Sequence, residues 1–282
     1  MIDPDEYRSA SRDGWESAAA GWAARRAELQ RAAEPVSQWL VQAIEPQPGQ
    51  TVLELAAGLG DTGFLAAELV APTGRVITTD GAEAMLAGAE RRAGELGLDN
   101  VEFKPMEAEW IDLPTASVDA VLCRWGYMLL ADPETALRET RRVLRPGGRV
   151  ALAAWDSPEH NPWVTQTGVE LAARGLVPAP DPDAPGMFAF ATEGRIAELL
   201  YAAGFSDVEV DSVDITFAAG SFDDWWEYLF DMSMSLSEAL GRATPEQRDE
   251  VYEAVEARLA PWRAEDGSLA VPGRTLVAAA SA

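Results

Sequence analysis

Sulfur and imidazole side chains are scarce in this chain of 282 residues, which has one cysteine, Cys123, and one histidine, His160. A single cysteine excludes an internal disulfide, and so few ligands exclude a cysteine- or histidine-rich cluster, so we expect no metal site. Apolar runs are also short, since none approaches the ~20 residues that span a bilayer. The N-terminal segment 1–6 is acidic where a secretory signal is basic. These absences predict a cytoplasmic protein.

Positive charge is the second scarcity. The chain has 22 lysine and arginine residues against 47 acidic ones, a net charge of −25. Such a surface repels phosphate backbones and anionic membranes over a Debye length of about 8 Å. We therefore predict no nucleic-acid and no membrane partner, and expect a small-molecule substrate. The oligomeric state stays open, and the arginine-rich composition with one lysine, Lys104, suggests a bacterial source.

Strand and helix patterns alternate from about residue 51. Apolar, β-prone runs predict strands at 52–56, 75–80, 101–104, 118–123 and 149–155, and helical periodicity predicts helices at 64–70, 82–96 and 133–144. Strands that alternate with helices at this spacing imply a parallel sheet covered on both faces. Ligands of such sheets bind beyond the carboxyl ends of the strands, so candidate site residues are expected at one edge.

The segments outside this core have a different character. The N-terminal stretch is helical and rich in tryptophan, a proline-rich loop covers 178–185, and helical patterns cover 192–203, 222–240 and 245–259. Alternating strands are predicted at 208–217 and 274–280. We predict an N-terminal helical cap over 1–45, a core over 46–220 and 268–282, and a helical insertion or lid over 221–267.

A glycine-rich turn follows the first predicted strand. Glycines at 58, 60 and 63 let the backbone turn sharply and approach a ligand, and the following helix presents free N–H groups there. This Gly-x-Gly-x-x-Gly spacing also fits dinucleotide-binding folds. Glu54 favours a different ligand, because a carboxylate four residues before Gly58 serves a cation better than a pyrophosphate.

Four ordered sequence blocks resemble one known family. They are Val52–Gly60, then Val76–Gly81 followed by Met85, then Glu107-Ala108 before Leu113-Pro114, and last Arg142–Gly148. With these blocks, residues 51–155 resemble the core of class I S-adenosylmethionine-dependent methyltransferases, particularly the small-molecule group similar to ubiquinone and menaquinone biosynthesis methyltransferases. The resemblance implies a Rossmann-like, doubly wound α/β fold whose mostly parallel sheet has seven strands, with a helical insertion before the last one.

The resemblance also implies a set of cofactor contacts for S-adenosylmethionine. The residues are Glu54 at the amino-acid end, Ala56, Gly58 and Gly60 in the loop beneath the ligand, Asp80 and Gly81 at the ribose, Met85, Glu107 and Ala108 at the adenine, and Arg124 near the methionine portion. Two positions depart from the family pattern: Ala56 stands where glycine is usual, and Glu107 where aspartate is common.

Acceptor contacts are predicted from position and residue type. In this fold acceptors enter after the fourth strand, where Trp125, Tyr127 and Met128 lie, and Trp163 and Trp225 are further aromatic candidates. His160 follows the fifth strand, and because imidazole titrates near neutral pH it is a candidate general base.

The resulting prediction is an enzyme that transfers a methyl group in line from S-adenosylmethionine to a small, largely apolar or aromatic metabolite. The sulfonium already makes the methyl electrophilic, so the protein has chiefly to orient the nucleophile and exclude water. Two alternatives stay open. An NAD-dependent oxidoreductase shares the glycine spacing, although no tyrosine stands four residues before Lys104, and a non-catalytic cofactor-binding protein of the same fold would keep the acidic residues.

Overall fold

A computed structural model describes residues 3–178 and 184–282. The proline-rich loop predicted over 178–185 therefore lies mostly outside the described residues. Within the described ranges, no helix is both long and apolar enough to cross a membrane.

Seven strands in the described chain form one sheet in the order β3-β2-β1-β4-β5-β7-β6. The strands are β1 Thr51–Glu54, β2 Arg75–Asp80, β3 Val101–Pro105, β4 Val118–Arg124, β5 Leu144–Trp155, β6 Ser206–Ala219 and β7 Leu269–Ser281. The first five are parallel, while β7 pairs antiparallel with both β5 and β6. This mostly parallel sheet confirms the predicted fold class.

Helices cover both faces of the sheet. They are α1 Pro4–Ala24, α2 Arg26–Ala43, α3 Asp61–Val70, α4 Glu83–Leu96, α5 Pro133–Val143, α6 Pro162–Ala173, α7 Glu193–Ala202, α8 Phe222–Met232, α9 Met234–Arg242 and α10 Pro245–Leu259. The central strands are buried in continuous runs rather than alternately, as expected when helices cover both faces. The two N-terminal helices differ, because α2 packs against α3 and the sheet whereas α1 packs against α4 and α8.

The strand order reverses between β1 and β4, which are neighbours although β2 and β3 lie between them in the chain. Such a switch point leaves a crevice beyond the carboxyl ends of the strands. Glu54 ends β1, Asp80 ends β2 and Arg124 ends β4, so the topology brings these three side chains to the same edge of the sheet.

Three local predictions are wrong in detail. Helix α6 was not predicted, because it begins with Pro162 and has a weakly amphipathic sequence with a buried acid, Glu170. The helix predicted over 222–240 is two helices, α8 and α9, because Ser233 between them has an extended backbone. The strand predicted at 149–155 begins at Leu144, so the glycines after Pro146 lie within β5, where Gly147 N–H donates to the carbonyl of Ala282 at 3.1 Å.

Candidate functional site

A cavity of about 310 Å³ lies beyond the carboxyl ends of β1, β2 and β4 and is covered by α1 and α8. Its wall changes in character along its length. Carboxylates and arginines from α1 and from the ends of the first four strands line one part, here called the charged end, and uncharged side chains from later in the chain, among them Trp155, Trp163 and Leu236, line another part, here called the apolar end. Among the described lining residues, every one that follows Arg124 in the chain is uncharged.

Glu54, the last residue of β1, is hydrogen-bonded to the start of α3. Its carboxylate accepts the Gly63 N–H at 2.7 Å and the Thr78 hydroxyl at 3.3 Å, and the residue is only 3% exposed. Burial raises the pKa of Glu54 to about 7, although the Gly63 N–H and the charge of Arg124 oppose the rise. A Cβ at position 63 would lie 2.2 Å from a Glu54 oxygen, so glycine is required where the carboxylate approaches the helix N-terminus.

Asp80 connects the two loops that border the cavity. One carboxylate oxygen accepts the Gly58 N–H at 2.8 Å, and the other accepts the Ala82 N–H at 2.9 Å. Burial raises the pKa of Asp80, and the neighbouring charges of Glu107 and Glu16 add to this rise. Each carboxylate oxygen has a second lone pair, so Asp80 can still accept hydrogen bonds from a ligand.

Glu107 lies beside Asp80 and is paired with the N-terminal helix. Arg12 of α1 approaches the Glu107 carboxylate with Nε at 3.0 Å and Nη2 at 2.7 Å. A Cβ on Gly81 would come within 3.2 Å of the other Glu107 oxygen, so the carboxylate lies directly over Gly81. Met85 and Ala108 complete this part of the wall, and both are buried.

Arg124 brings a buried cation to the same end of the cavity. Its guanidinium lies 4.8 Å from the ring centroid of Trp125, and one terminal nitrogen is buried without a hydrogen-bond partner among the described residues. Burial lowers the pKa of Arg124, against the opposing charges of Asp61 and Glu54. Buried polar groups are almost always bonded, so the free N–H is suited to an anionic group of a ligand.

Two residues beside the cavity have left-handed backbones without being glycine: Ala56 has φ +49° and Trp125 has φ +60°. Such conformations require support from the surrounding structure and are concentrated at functional sites. Gly126 gives that support, because a Cβ there would lie 2.6 Å from the Ala56 Cβ and 2.7 Å from the Cys123 sulfur. The departure from glycine at position 56 is thus matched by a glycine on the neighbouring loop.

A row of aromatic rings runs away from Arg124 along the apolar end. Trp125 stacks on Trp155 with centroids 4.3 Å apart, Trp155 lies 5.0 Å from Trp163, and Trp163 stacks on Phe217 at 4.2 Å. Tyr228 of α8 ends the row, 6.1 Å from Phe217. Four of these rings line the cavity, Phe217 being the exception.

Helix α1 is held over the cavity by polar contacts. The Tyr7 hydroxyl donates to the carbonyl of Leu129 at 2.9 Å, and the Trp22 indole N–H donates to the carbonyl of Met232 at 3.2 Å. Arg25, between α1 and α2, pairs with Asp231 of α8 at 2.6 Å. Both helices that cover the cavity are therefore joined to each other.

Twelve of the sixteen residues predicted for the site line this cavity. They are Glu54, Ala56, Gly58, Asp80, Gly81, Met85, Glu107, Ala108, Arg124, Trp125, Met128 and Trp163. Eight of them come from the first three sequence blocks, which lie at or just after the ends of β1, β2 and β3, whereas the fourth block covers the end of α5 and the start of β5 and supplies none.

The structure does not bring the other four to the cavity wall. Gly60 has φ +82° and lies against the Phe64 ring, so its role is in the turn. The Tyr127 hydroxyl is buried against Thr140 at 2.6 Å, and Trp225 borders a second, smaller cavity. His160 pairs with Asp156 at 2.7 Å on the outer side of the β5 end, so the geometry gives no support to a general base at this position.

The sequence reading missed lining residues on helices α1 and α8. Arg8, Arg12 and Trp15 come from α1, and Tyr228 and Leu229 from α8. Both segments were predicted to cover the core. A local sequence pattern, however, does not indicate which residues of a helix lie beside a strand that is distant in the chain. The tryptophans of α1 were the available signal.

The sheet order, with carboxylates at or just beyond the ends of β1, β2 and β3, is similar to the core of class I S-adenosylmethionine-dependent methyltransferases. More specifically, residues 37–171 match the model of the ubiE/COQ5 methyltransferase family. The chain is 36% identical over 113 residues to the ubiquinone/menaquinone biosynthesis C-methyltransferase UbiE of Pseudoalteromonas translucida. The aligned region covers 40% of this chain and 45% of that protein. The chain thus spans less than half the length of the curated relatives it matches. The predicted resemblance is confirmed.

Solved structures agree on the fold. The YcgJ protein of Bacillus subtilis is 20% identical, with a TM-score of 0.59 over 87% of this chain and 97% of that one. The [4+2]-cyclase SpnF is 19% identical, with a TM-score of 0.54 over 89% of this chain and 81% of that one. Identities this low establish only the architecture. Because the name of SpnF describes a cyclisation, the fold alone does not identify the reaction, and the reaction of this chain has to be argued from its cavity.

Proposed function

We propose that this chain binds S-adenosylmethionine at the charged end of the cavity and transfers its methyl group to a small, uncharged, largely apolar acceptor at the apolar end. The observation that carries the proposal is that the carboxylates of Glu54, Asp80 and Glu107 line the same cavity as Arg124, whose guanidinium has one buried nitrogen without a hydrogen-bond partner among the described residues. The family match over 37–171 supports the same reading and does not favour an NAD-dependent oxidoreductase.

The residues present fit the charged and polar groups of this cofactor. Glu54 and the free N–H of Arg124 together complement an amino acid, which has both an ammonium and a carboxylate. Asp80 suits a ribose, because its two oxygens can accept from two hydroxyls while keeping the bonds to the Gly58 and Ala82 N–H groups. Glu107 suits the exocyclic amine of adenine, and Met85 suits a face of the ring.

The bound cofactor supplies a methyl group that is already electrophilic because it is attached to a sulfonium. The chain therefore has to orient an acceptor atom and exclude water. The row of rings from Trp125 to Tyr228 gives flat, apolar contact area, and helices α1 and α8 cover it. With His160 outside the cavity, we propose an acceptor whose reacting atom needs no imidazole base.

The domain roles follow from this arrangement. We propose that residues 46–220 and 268–282 form the methyltransferase core, and that the helical segments 1–45 and 221–267 act as cap and lid. Only part of the first segment covers the cavity, because α2 packs on the sheet while α1 lies over the ligand end. Closure by such elements sequesters a reaction from water.

Calorimetric titration tests cofactor binding directly. We expect heat of binding with S-adenosylmethionine and none with NAD, and we expect the Asp80→Asn variant to bind S-adenosylmethionine roughly 5- to 150-fold more weakly, the scale of one lost charged hydrogen bond. Asp99→Asn is the matched control, because Asp99 is exposed and does not line the cavity. Binding of NAD alone would contradict the proposal.

Transfer is tested separately with a methyl-labelled cofactor and a mixed extract of small metabolites. We expect label in apolar, uncharged products. Tight cofactor binding without transfer to any fraction would support the non-catalytic alternative instead.

A further inference from the structure

Tyr228 lies at the far end of the aromatic row. The residue is 6% exposed, and its hydroxyl is buried without a hydrogen-bond partner among the described residues. A buried polar group without a hydrogen bond destabilises the folded protein, so a ligand that bonds it gains affinity. By contrast, two indole donors of the row are satisfied inside the protein: Trp125 N–H donates to Thr275 at 2.6 Å, and Trp163 N–H to Asn161 at 3.2 Å.

The position of Tyr228 relates it to the acceptor rather than to the cofactor. The row of rings extends from Trp125, which contacts Arg124 at the charged end of the cavity, to Tyr228. Of the residues that line this cavity with it, Leu229 and Leu236 are apolar, whereas the charged side chains near its hydroxyl, Arg25 and Glu28, line the second cavity. In the larger cavity an occupant can satisfy the hydroxyl only with a polar atom of its own.

Tyr228 is also the residue shared by two cavities. A second cavity of about 180 Å³ lies behind it, bordered by Arg25, Glu28, Phe217 and Trp225, and Tyr228 lines both cavities. Burial raises the pKa of Tyr228 above its ordinary value, and the charge of Glu28 adds to this rise. The hydroxyl therefore keeps its proton throughout the neutral range and stays able to donate.

We propose that Tyr228 is a specificity-determining residue: its hydroxyl binds the single polar group of a flat, uncharged acceptor, and its ring limits the length of that acceptor by closing off the second cavity. The proposal rests on the proposed function, because it assigns the apolar end to the acceptor. It concerns recognition only, so Tyr228 positions the acceptor and takes no proton from it.

The test compares two probes that differ in one hydroxyl, 4-ethylphenol and ethylbenzene, in the presence of S-adenosylhomocysteine, so that binding is measured without turnover. Quenching of tryptophan fluorescence gives the affinities. In Tyr228→Phe we expect 4-ethylphenol to bind roughly 3- to 10-fold more weakly, the scale of one neutral hydrogen bond. The affinity for ethylbenzene is expected to stay unchanged.

Tyr252→Phe is the matched control, because the Tyr252 hydroxyl bonds Asp223 and the residue lines neither cavity. It should bind both probes as the unmodified chain does. A second variant, Tyr228→Ala, joins the two cavities, and we expect it to favour 4-pentylphenol over 4-ethylphenol at least threefold more than the unmodified chain.

These measurements distinguish a failure of the proposed function from a failure of the role proposed for Tyr228. If the unmodified chain does not bind S-adenosylmethionine, the proposed function fails. If it binds the cofactor but neither probe, or if Tyr228→Phe weakens both probes equally or neither, the role of the Tyr228 hydroxyl is overturned. An unchanged length preference in a Tyr228→Ala protein that still binds the cofactor overturns the role of the ring in closing off the second cavity.

Discussion

At the scale of single residues, burial makes the charged form of acidic side chains beside the cavity less favourable. Glu54 is bonded to Gly63 and Thr78, yet burial still raises its pKa to about 7. The protonated carboxyl is therefore favoured in the folded chain at pH values where the unfolded chain is already ionised. A cationic ligand beside Glu54 reverses this preference, because it stabilises the carboxylate.

Glu54 should make stability depend on pH. The pKa in the folded chain, about 7, lies above the ordinary 4.5, so the folded state holds the proton more tightly. The contribution to the free energy of unfolding is complete below about pH 4.5 and is lost as pH rises through 7, by about 3 kcal/mol. In Glu54→Gln we expect this part of the pH dependence to vanish in urea unfolding curves at pH 5 and pH 8.

The control for this prediction is Glu90→Gln, which changes an exposed glutamate of α4. It should keep the pH dependence of the unmodified chain, including the share that comes from Asp61 and Asp80, whose pKa values burial also raises. An equal pH dependence in both variants would remove Glu54 as a source.

Gly126 and Ala56 should be energetically coupled. Gly126→Ala brings a methyl group to 2.6 Å from the Ala56 Cβ and 2.7 Å from the Cys123 sulfur, and overpacking of this kind lowers the free energy of unfolding by about 1–3 kcal/mol. Adding Ala56→Gly removes one of the two clashes and the left-handed alanine. We expect the double variant to recover about 1 kcal/mol relative to additivity, measured by urea unfolding.

Gly94→Ala serves as the comparison, since no described atom lies within 4 Å of a Cβ at that helical position. It should raise the free energy of unfolding by about 0.5–1 kcal/mol. Strict additivity of the changes at 56 and 126 would show that the two loops are not in contact.

The residues that could be identified from sequence are those whose role is local. Glu54 and Asp80 end strands and bond to backbone N–H groups a few residues away or on the next loop, so spacing located them. Tyr228 could not be found in this way, because its significance comes from Phe217 and from a cavity formed by distant elements. Similarly, Tyr127 follows a strand end but turns into the core to meet Thr140.

At the scale of elements, the two N-terminal helices are held by different forces. In the described chain α2 buries seven residues, including Val36 and Leu40, whereas α1 buries only Ala19. The attachment of α1 combines apolar packing of Trp15 and Trp22 against a small cluster that contains Met85 with polar contacts, from Arg12 to Glu107 and from Glu16 to the start of α4. Because α1 buries fewer residues than α2 and its polar contacts are partly exposed, we propose that α1 is the element that can leave the cavity while α2 stays on the sheet.

Glu16 should stabilise α4 from outside that helix. The N-cap residue of α4 is Ala82, which has no side-chain acceptor, and Glu16 of α1 instead accepts the backbone N–H groups of Glu83 and Ala84. In Glu16→Ala we expect a loss of about 0.5–2 kcal/mol, the scale of an N-cap. Hydrogen exchange should report it as faster exchange at the start of α4 and in α1.

Glu34→Ala is the control for this change, because Glu34 lies on α2 and bonds only Gln38 on the same helix. It should leave exchange in α1 and α4 unaltered. Protection at the start of α4 that survives in Glu16→Ala would contradict the capping role.

Element types followed from sequence more readily than their pairing did. Glycine and proline residues between apolar runs predicted β1 to β5 in order, because the runs of β1, β2, β4 and the second half of β5 are buried, although the edge strand β3 is only half-buried. The insertion of β7 between β5 and β6 depends on antiparallel contacts across more than fifty residues, and no local pattern encodes such a register.

At the scale of the whole molecule, net charge opposes folding and favours one class of ligand. The chain has 47 acidic and 22 basic residues, a net charge of −25. Most of its ion pairs are partly exposed, for example Arg12 with Glu107, and such pairs contribute at most about 1 kcal/mol each. Repulsion among the excess carboxylates therefore decides how salt acts on stability.

Salt should stabilise the chain and weaken its binding of a cationic cofactor at the same time. Between roughly 0.01 M and 0.15 M ionic strength the Debye length falls from about 30 Å to about 8 Å, which screens both the self-repulsion and the attraction of the carboxylates for a cation. We expect the urea midpoint to rise over this range while the dissociation constant of S-adenosylmethionine increases. The affinity for uncharged 4-ethylphenol should not change, and sodium and potassium chloride should act alike. A midpoint that falls with salt would mean that specific ion pairs, rather than the net charge of −25, dominate the electrostatics of folding.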